Sequence, residues 1–182
     1  MTRDSLFHKI FKNVFGRSEE VFEPRIREFN VKTDLEPILS WQEDLFTTNF
    51  AGFQMNPYFL KEQRRRLSEA ALRPFEHGIF VLEHIPGKTG GFIWCKIYDT
   101  NEYGIFGSVE QIYLIPELRG KGFGKKLMEK GEEYFAERGA QSIKLLVTIS
   151  NSAAVSLYQS LGYKATRWEM QKDVKRTQMN GG

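Results

Sequence analysis

Two spacings of apolar residues alternate along this chain. Leu6, Phe7, Ile10, Phe11, Val14 and Phe15 fall three and four apart, with Arg3, Lys9, Lys12 and Arg17 around the rest of the wheel. Residues 2–17 therefore read as an amphipathic helix that Gly16 can end, followed by a linker to Pro24. Arg25–Val31 alternates as a short strand does. Helical spacing returns with Leu35, Ile38, Leu39, Leu45 and Phe46, and predicts one helix from an Asp34 cap to about Phe46, with Pro37 in its tolerant first turn. After a mixed polar and aromatic connection, Asn56 and Pro57 open a second helix that runs to about Arg73. Gly78–His84 and Gly90–Tyr98 read as a strand pair around Pro86–Gly90, and Ile105–Leu114 as a long third strand. Phe123, Leu127, Gly131, Tyr134 and Phe135 then mark a helix closed by Arg138 and Gly139. Ile143–Ile149 follows as a strand. A helix through Ala154, Leu157, Tyr158 and Leu161, capped by Ser150 or Asn151 and stopped by Gly162, leads to a last strand, Ala165–Lys172. The core order β-α-α-β-β-β-α-β-α-β is α/β with a mixed central sheet, preceded by the added amphipathic helix.

Three regions follow: residues 1–24 as helix and linker, 25–172 as the domain, and 173–182 as a polar tail. At 182 residues, one domain with a substantial core is expected. The composition, 41% hydrophobic and 27% charged, is that of a globular protein. A net charge of +3 is too small to imply nucleic acid, and Arg64-Arg65-Arg66 reads as a solvated helix face. The single cysteine, Cys95, lies in an apolar strand and reads as buried filler. His8, His77 and His84 lack ligand spacing, so no metal is inferred. No apolar run is long enough to span a bilayer and no signal peptide is evident, which makes the expected location cytoplasmic. The apolar stripe of residues 2–17 is assigned to packing, on the domain or on a second copy in a homodimer, ahead of attachment to an anionic membrane.

The chemistry concentrates at Arg119-Gly120-Lys121-Gly122-Phe123-Gly124, followed by Lys125 and Lys126. A glycine-rich turn that opens a helix leaves backbone N–H groups unpaired at the positive end of the helix dipole. Glycines also let a ligand approach the main chain closely, so the turn is suited to phosphate. The spacing fits neither a P-loop nor the G-x-G-x-x-G dinucleotide fingerprint. It resembles the acyl-CoA signature [QR]-x-x-G-x-[GA] of the GCN5-related N-acetyltransferase (GNAT) family, with Arg119, Gly122 and Gly124 at the fixed positions. Pro116 before the turn and Asn151-x-x-Ala154-x-x-Leu157-Tyr158-x-x-x-Gly162-Tyr163 after it extend the match over roughly residues 105–172.

The resemblance implies acetyl-CoA as co-substrate and a primary amine of a small molecule or peptide as acceptor, attacked directly in a ternary complex. It implies that the strands ending at Leu114 and Ile149 splay apart to admit the pantetheine arm. Main chain of Ile112, Tyr113 and Leu114 would pair with that arm, and one N–H there would meet the acetyl oxygen. Backbone of Gly120, Lys121, Gly122, Phe123, Gly124 and Lys125 would hold the diphosphate, with Arg119, Lys121, Lys125 and Lys126 adding positive charge. Asn151 would bind the arm as well as cap its helix. Tyr158 is the candidate acid toward the leaving thiolate, and Glu110, four residues before Leu114, is the candidate base. Polyamine-acetylating relatives often carry Glu-Asp where this chain has Glu110-Gln111, which argues against a polycation. Phe50, Phe53, Met55, Tyr58 and Phe59 are the expected acceptor wall, suited to a partly apolar amine. The competing expectation is a non-catalytic acyl-CoA-binding module that engages a protein or membrane partner through residues 2–17.

Overall fold

The computed structural model describes residues 22–50, 52–170 and 172; the segment 2–17 and the tail 173–182 lie outside the described residues. Strand β1 (Arg25–Glu28) leads into helices α1 (Val31–Ser40), α2 (Gln42–Asn49) and α3 (Pro57–Ala71). The meander β2 (His77–Ile85), β3 (Lys88–Thr100) and β4 (Gly104–Leu114) follows. A 3-10 turn (Pro116–Leu118) then precedes α4 (Phe123–Glu137), β5 (Ser142–Leu145) and α5 (Ser152–Ser160). The sheet runs β1-β2-β3-β4-β5, antiparallel except for the last pair. Parallel neighbours need a crossover, and α4 supplies it.

Alternation along β2, β3 and β4 sends side chains to two separate cores. On one face Phe80, Leu82, Ile93 and Cys95 pack with Leu127, Met128, Phe135 and Tyr158 from α4 and α5. On the other, Val81, Phe92, Trp94 and Tyr113 pack with Ile38, Leu39, Leu67 and Ala70 from α1 and α3. Burying an aromatic or branched aliphatic side chain contributes roughly 1.5–3 kcal/mol, so the two layers hold the sheet from both sides. Cys95 is fully buried and its thiol is pushed far up by burial, in keeping with a packing role.

The described elements depart from the sequence expectations at four places. The first helix begins at Val31 and is capped by Asn30, whose side chain accepts from the Lys32 N–H. The first strand is correspondingly cut to Arg25–Glu28. Asp34 is instead a fully buried carboxylate inside that helix. It takes Arg27 Nη1 at 2.6 Å and Nη2 at 2.8 Å, Thr89 Oγ1 at 2.6 Å and the Asn30 N–H at 2.8 Å. Burial alone would raise its pKa, but these hydrogen bonds together outweigh burial and hold it below the usual range.

The expected single helix to Phe46 is two helices. Trp41 ends α1 with its N–H bonded to Ile38 O and Leu39 O, and its ring stacks on Tyr113 at 5.4 Å. The strand expected through Ile149 stops at Leu145, where pairing with β4 ceases. The final strand expected at residues 165–172 is absent among the described residues: 164–170 form no ladder, and Trp168 and Met170 stay exposed. A strand needs an edge to pair with, and β5 offers only four residues.

Candidate active site

The site begins with an irregularity in β4. Trp94 pairs with Gln111 and Cys95 with Val109, so Glu110 is the extra residue of a β-bulge. Val109 is also the last β4 residue paired with β5, opposite Leu145. From Glu110 to Leu114 the strand keeps β3 on one side and, among the described residues, has no strand partner on the other. Pairing between β4 and β5 therefore ends before Glu110, and β5 stops four residues earlier than the sequence suggested.

Ile112 and Leu114 turn toward the α4–α5 core and Tyr113 toward α1. The Tyr113 hydroxyl donates to Asp44 Oδ2 at 2.8 Å, and burial together with that bond pushes the phenol up to about 12. Arg119 returns to the same place. Its Nε donates to Leu114 O at 2.9 Å, its Nη2 reaches Asp44 Oδ2 at 2.8 Å, and its guanidinium lies 5.2 Å from the Tyr113 ring centre. The arginine side chain is thus engaged at the end of β4 by a carboxylate and a carbonyl. The sequence could not show that Asp44, 75 residues away, would meet it.

Between Arg119 and α4, Gly120 and Gly122 hold φ angles of 71° and 81°, a region costly to any residue with a Cβ. Nothing within 4 Å would meet a Cβ at either position, so the space over the turn is open. Gly122 is the N-cap of α4 and has no side chain to bond the helix start. The Lys126 N–H donates to Gly122 O, leaving the N–H groups of Phe123, Gly124 and Lys125 as the helix's unpaired first-turn donors. Gly124 serves packing: a Cβ there would meet Leu157 of α5 at 3.2 Å and Leu114 of β4 at 3.8 Å. The start of α4, the free half of β4 and α5 therefore pack against one another at Gly124. Lys121, Lys125 and Lys126 are exposed, and Lys125 lies 3.7 Å from Glu129.

Tyr158 stands on α5 with 7% of its surface exposed, in the same apolar cluster as Ile112, Leu114 and Phe123. Burial pushes its phenol up to about 12. Asn151 caps α5, its Oδ1 accepting from the Ala154 N–H at 3.2 Å, while its Nδ2 donates to Asn49 Oδ1 at 3.2 Å. Thr148 Oγ1 donates to Asn49 O. These bonds tie the end of α2 to the β5–α5 connection. They bring in an aromatic cluster in which Phe46 sits 5.4 Å from Phe50, 5.2 Å from Phe53 and 4.6 Å from Phe59. Phe50, Phe53 and Phe59 belong to the expected wall; Tyr58 instead stands 78% exposed on the outside of α3.

Glu110 lies on the opposite side of the bulge from Cys95, beside α3. Its Oε2 is 3.5 Å from Arg66 Nη2 and its Oε1 is 3.5 Å from the Tyr98 hydroxyl. Gln111 next to it is buried and bonds Gln42 and Gln63, so it acts as filling between β4 and the helices. Arg66 departs from the solvated face assigned to the arginine run. Arg64 and Arg65 pair with surface glutamates, whereas Arg66 lies 5.0 Å from the Trp94 ring centre. Its place three residues after buried Gln63 and one before buried Leu67 was the available signal. Among the described residues no cluster of three or more His, Cys, Asp or Glu could hold a metal ion, and no helix is long and apolar enough to cross a membrane.

A mixed sheet that parts over a glycine turn at a helix start defines an acyl-CoA-dependent acyltransferase architecture. Residues 35–163 match the acetyltransferase (GNAT) family model, and the chain belongs to that family, with the class N-acetyltransferase. An uncharacterised N-acetyltransferase of Archaeoglobus fulgidus is 30% identical over 142 residues, 75% of this chain and 86% of the relative. A mycothiol acetyltransferase of Thermobispora bispora is 32% identical over 155 residues, 84% of this chain but 50% of the relative, so the chain spans about half the length of that protein. A Pyrococcus furiosus protein described as an acetyl transferase superposes with a TM-score of 0.66 at 31% identity, over 84% of this chain and 100% of that one. A Clostridium acetobutylicum protein described as an acetyltransferase, solved with acetyl-CoA, shares the fold at a TM-score of 0.67 and 17% identity, over 82% and 96% of the two chains.

Proposed function

We propose that the protein transfers the acetyl group of acetyl-CoA to a primary amine of a small molecule or peptide by direct attack within a ternary complex. One observation carries the reading: the unpaired N–H groups opening α4 at the open glycine turn and the one-sided half of β4 meet at Gly124, against the apolar cluster that holds Tyr158. At that turn main-chain donors from Gly120 to Lys125 hold the diphosphate. The Ile112–Leu114 main chain lies along the pantetheine arm as an added strand would. An N–H of that stretch stabilises the oxygen as it gains charge.

The amine nitrogen attacks the thioester carbon; a C–N bond forms, the C–S bond breaks, and the sulfur leaves as a thiolate. At neutral pH only about one alkylammonium in a thousand is the free amine, so a proton acceptor matters. Glu110 takes the amine proton through water. Tyr158 gives its proton to the thiolate, and a phenol raised by burial stays loaded with that proton across the working range. Family membership favours turnover over the alternative of a non-catalytic acyl-CoA sensor.

The names of several relatives suggest a mycothiol-type acceptor, which belongs in the first panel of amines. The test is a screen of amines and short peptides with acetyl-CoA, reading free thiol. Thiol release that depends on the amine supports the reading. Tight acetyl-CoA binding with no thiol release from any amine would return the protein to the sensor role.

A further inference from the structure

A recess of about 220 Å³ opens beside Glu110 on the α3 face of the sheet. It is lined by Arg66 and Glu69 from α3, Arg73 from the loop just after it, His77 from β2, and Trp94 and Lys96 from β3. The cations outnumber the carboxylates once existing pairs are assigned. Glu69 is taken by Arg65 Nη1 at 2.7 Å, and Glu110 is shared with Arg66 at 3.5 Å. Arg73 has only a 3.8 Å approach to Glu76, both more than half exposed. Among the described residues no carboxylate pairs with Lys96, whose Nζ sits 4.2 Å from the Tyr98 ring centre. His77 Nδ1 accepts from Trp94 Nε1 at 3.1 Å, which leaves its proton on Nε2 as a further donor. Burial, then the neighbouring Lys96, lowers the His77 pKa and keeps that tautomer neutral. Two poorly compensated cations and a neutral donor in a recess floored by aromatic rings suit an anion rather than an ammonium.

Resting on the proposed acetyl transfer, we propose that this recess is an acceptor subsite that binds a carboxylate of the incoming amine, so that the acceptor is an amino acid-like or short-peptide molecule with its nitrogen far from its acid. Lys96 pairs with Ser108 on β4, and Ile112 lies four residues further along that strand. At about 3.3 Å per residue the recess and the acetyl position are roughly 10–13 Å apart. A tripeptide's α-amine and carboxylate are separated by about 10 Å when extended. Glu110 sits between the two ends, where it can accept the proton of an amine whose other end is held.

The test compares trialanine with trialanine amide, and 6-aminohexanoate with hexylamine, as acceptors for the wild-type protein and for Lys96→Met and Arg73→Gln. Both variants are first checked for an unchanged thermal midpoint and acetyl-CoA affinity. The account expects each acid to exceed its uncharged partner by about tenfold in kcat/KM, and that preference to shrink to within about twofold in Lys96→Met, mostly through KM. Equal rates for acid and amide, a preference that survives in both variants, or acetylation of none of the four while other amines are acetylated would each overturn the subsite and leave the acetyltransferase reading standing. Failure to bind acetyl-CoA at all would instead remove the reading beneath it.

Discussion

The two halves of β4 share one backbone and differ in what surrounds them. From Phe106 to Val109 the strand is paired with β3 on one side and β5 on the other. Packing there is equally closed: a Cβ on Gly107 would meet the Phe135 ring at 2.4 Å. From Glu110 to Leu114 the second neighbour is gone, and the bulge turns Glu110 out of register. Buried main chain left without a partner is costly in a structure that serves stability alone. The contrast teaches that the closed half holds the sheet together, while the open half leaves one edge of β4 without a strand partner among the described residues, the edge that the proposed function gives to the ligand.

The largest effect is expected in the open half's chemistry. On the proposed mechanism, Tyr158→Phe lowers kcat about 100-fold while the Kd for acetyl-CoA stays within about threefold, since only the proton donor is removed. A variant with full turnover, measured by thiol release, would leave Tyr158 as core packing.

Gly107→Ala probes the closed half. Its methyl would drive into Phe135, and overpacking of this kind costs about 1–3 kcal/mol, seen as a lower denaturation midpoint with acetyl-CoA affinity unchanged in the folded protein. If affinity fell as much as stability, the two halves would not be separable.

Gly122→Ala is the converse case. A Cβ there meets nothing within 4 Å, so the change costs the backbone about 1–2 kcal/mol for its φ of 81° and crowds the turn against a diphosphate. Titration should show Kd for coenzyme A weakened by about tenfold.

The smallest change is in the pH profile. Because burial holds the Tyr158 phenol up at about 12, its loss of a proton leaves no falling limb through pH 10. The rate should rise with pH as the acceptor ammonium, with an ordinary pKa of about 10.4, gives up its proton. A fall beginning near pH 9 that is lost in Tyr158→Phe would keep the acid role and contradict the raised phenol.

What the sequence disclosed about these two halves follows the range of the interactions involved. The glycine turn, the α4 start and the Asn151 cap are written in neighbouring residues, and they stand where the pattern put them. Asn30 and Asp34 are both good caps in isolation; the choice was made by Arg27 and Thr89, which draw Asp34 into the interior. The split at Trp41 depends on Tyr113 and Phe92, and the loss of the last strand on how short β5 is. The same holds in the site: the pairing of Arg119 with Asp44 and of Arg66 with Glu110 joins residues far apart in the sequence. Periodicity identifies a side chain's face but not the partner that comes from across the sheet.

The most direct measurement of the central claim is a calorimetric titration of the protein with coenzyme A and, separately, with pantetheine, which has the thiol arm and lacks the diphosphate. If the main-chain donors opening α4 hold that diphosphate, coenzyme A binds at least about 100-fold more tightly than pantetheine. Equal affinity for the two, or no heat from coenzyme A, would contradict it.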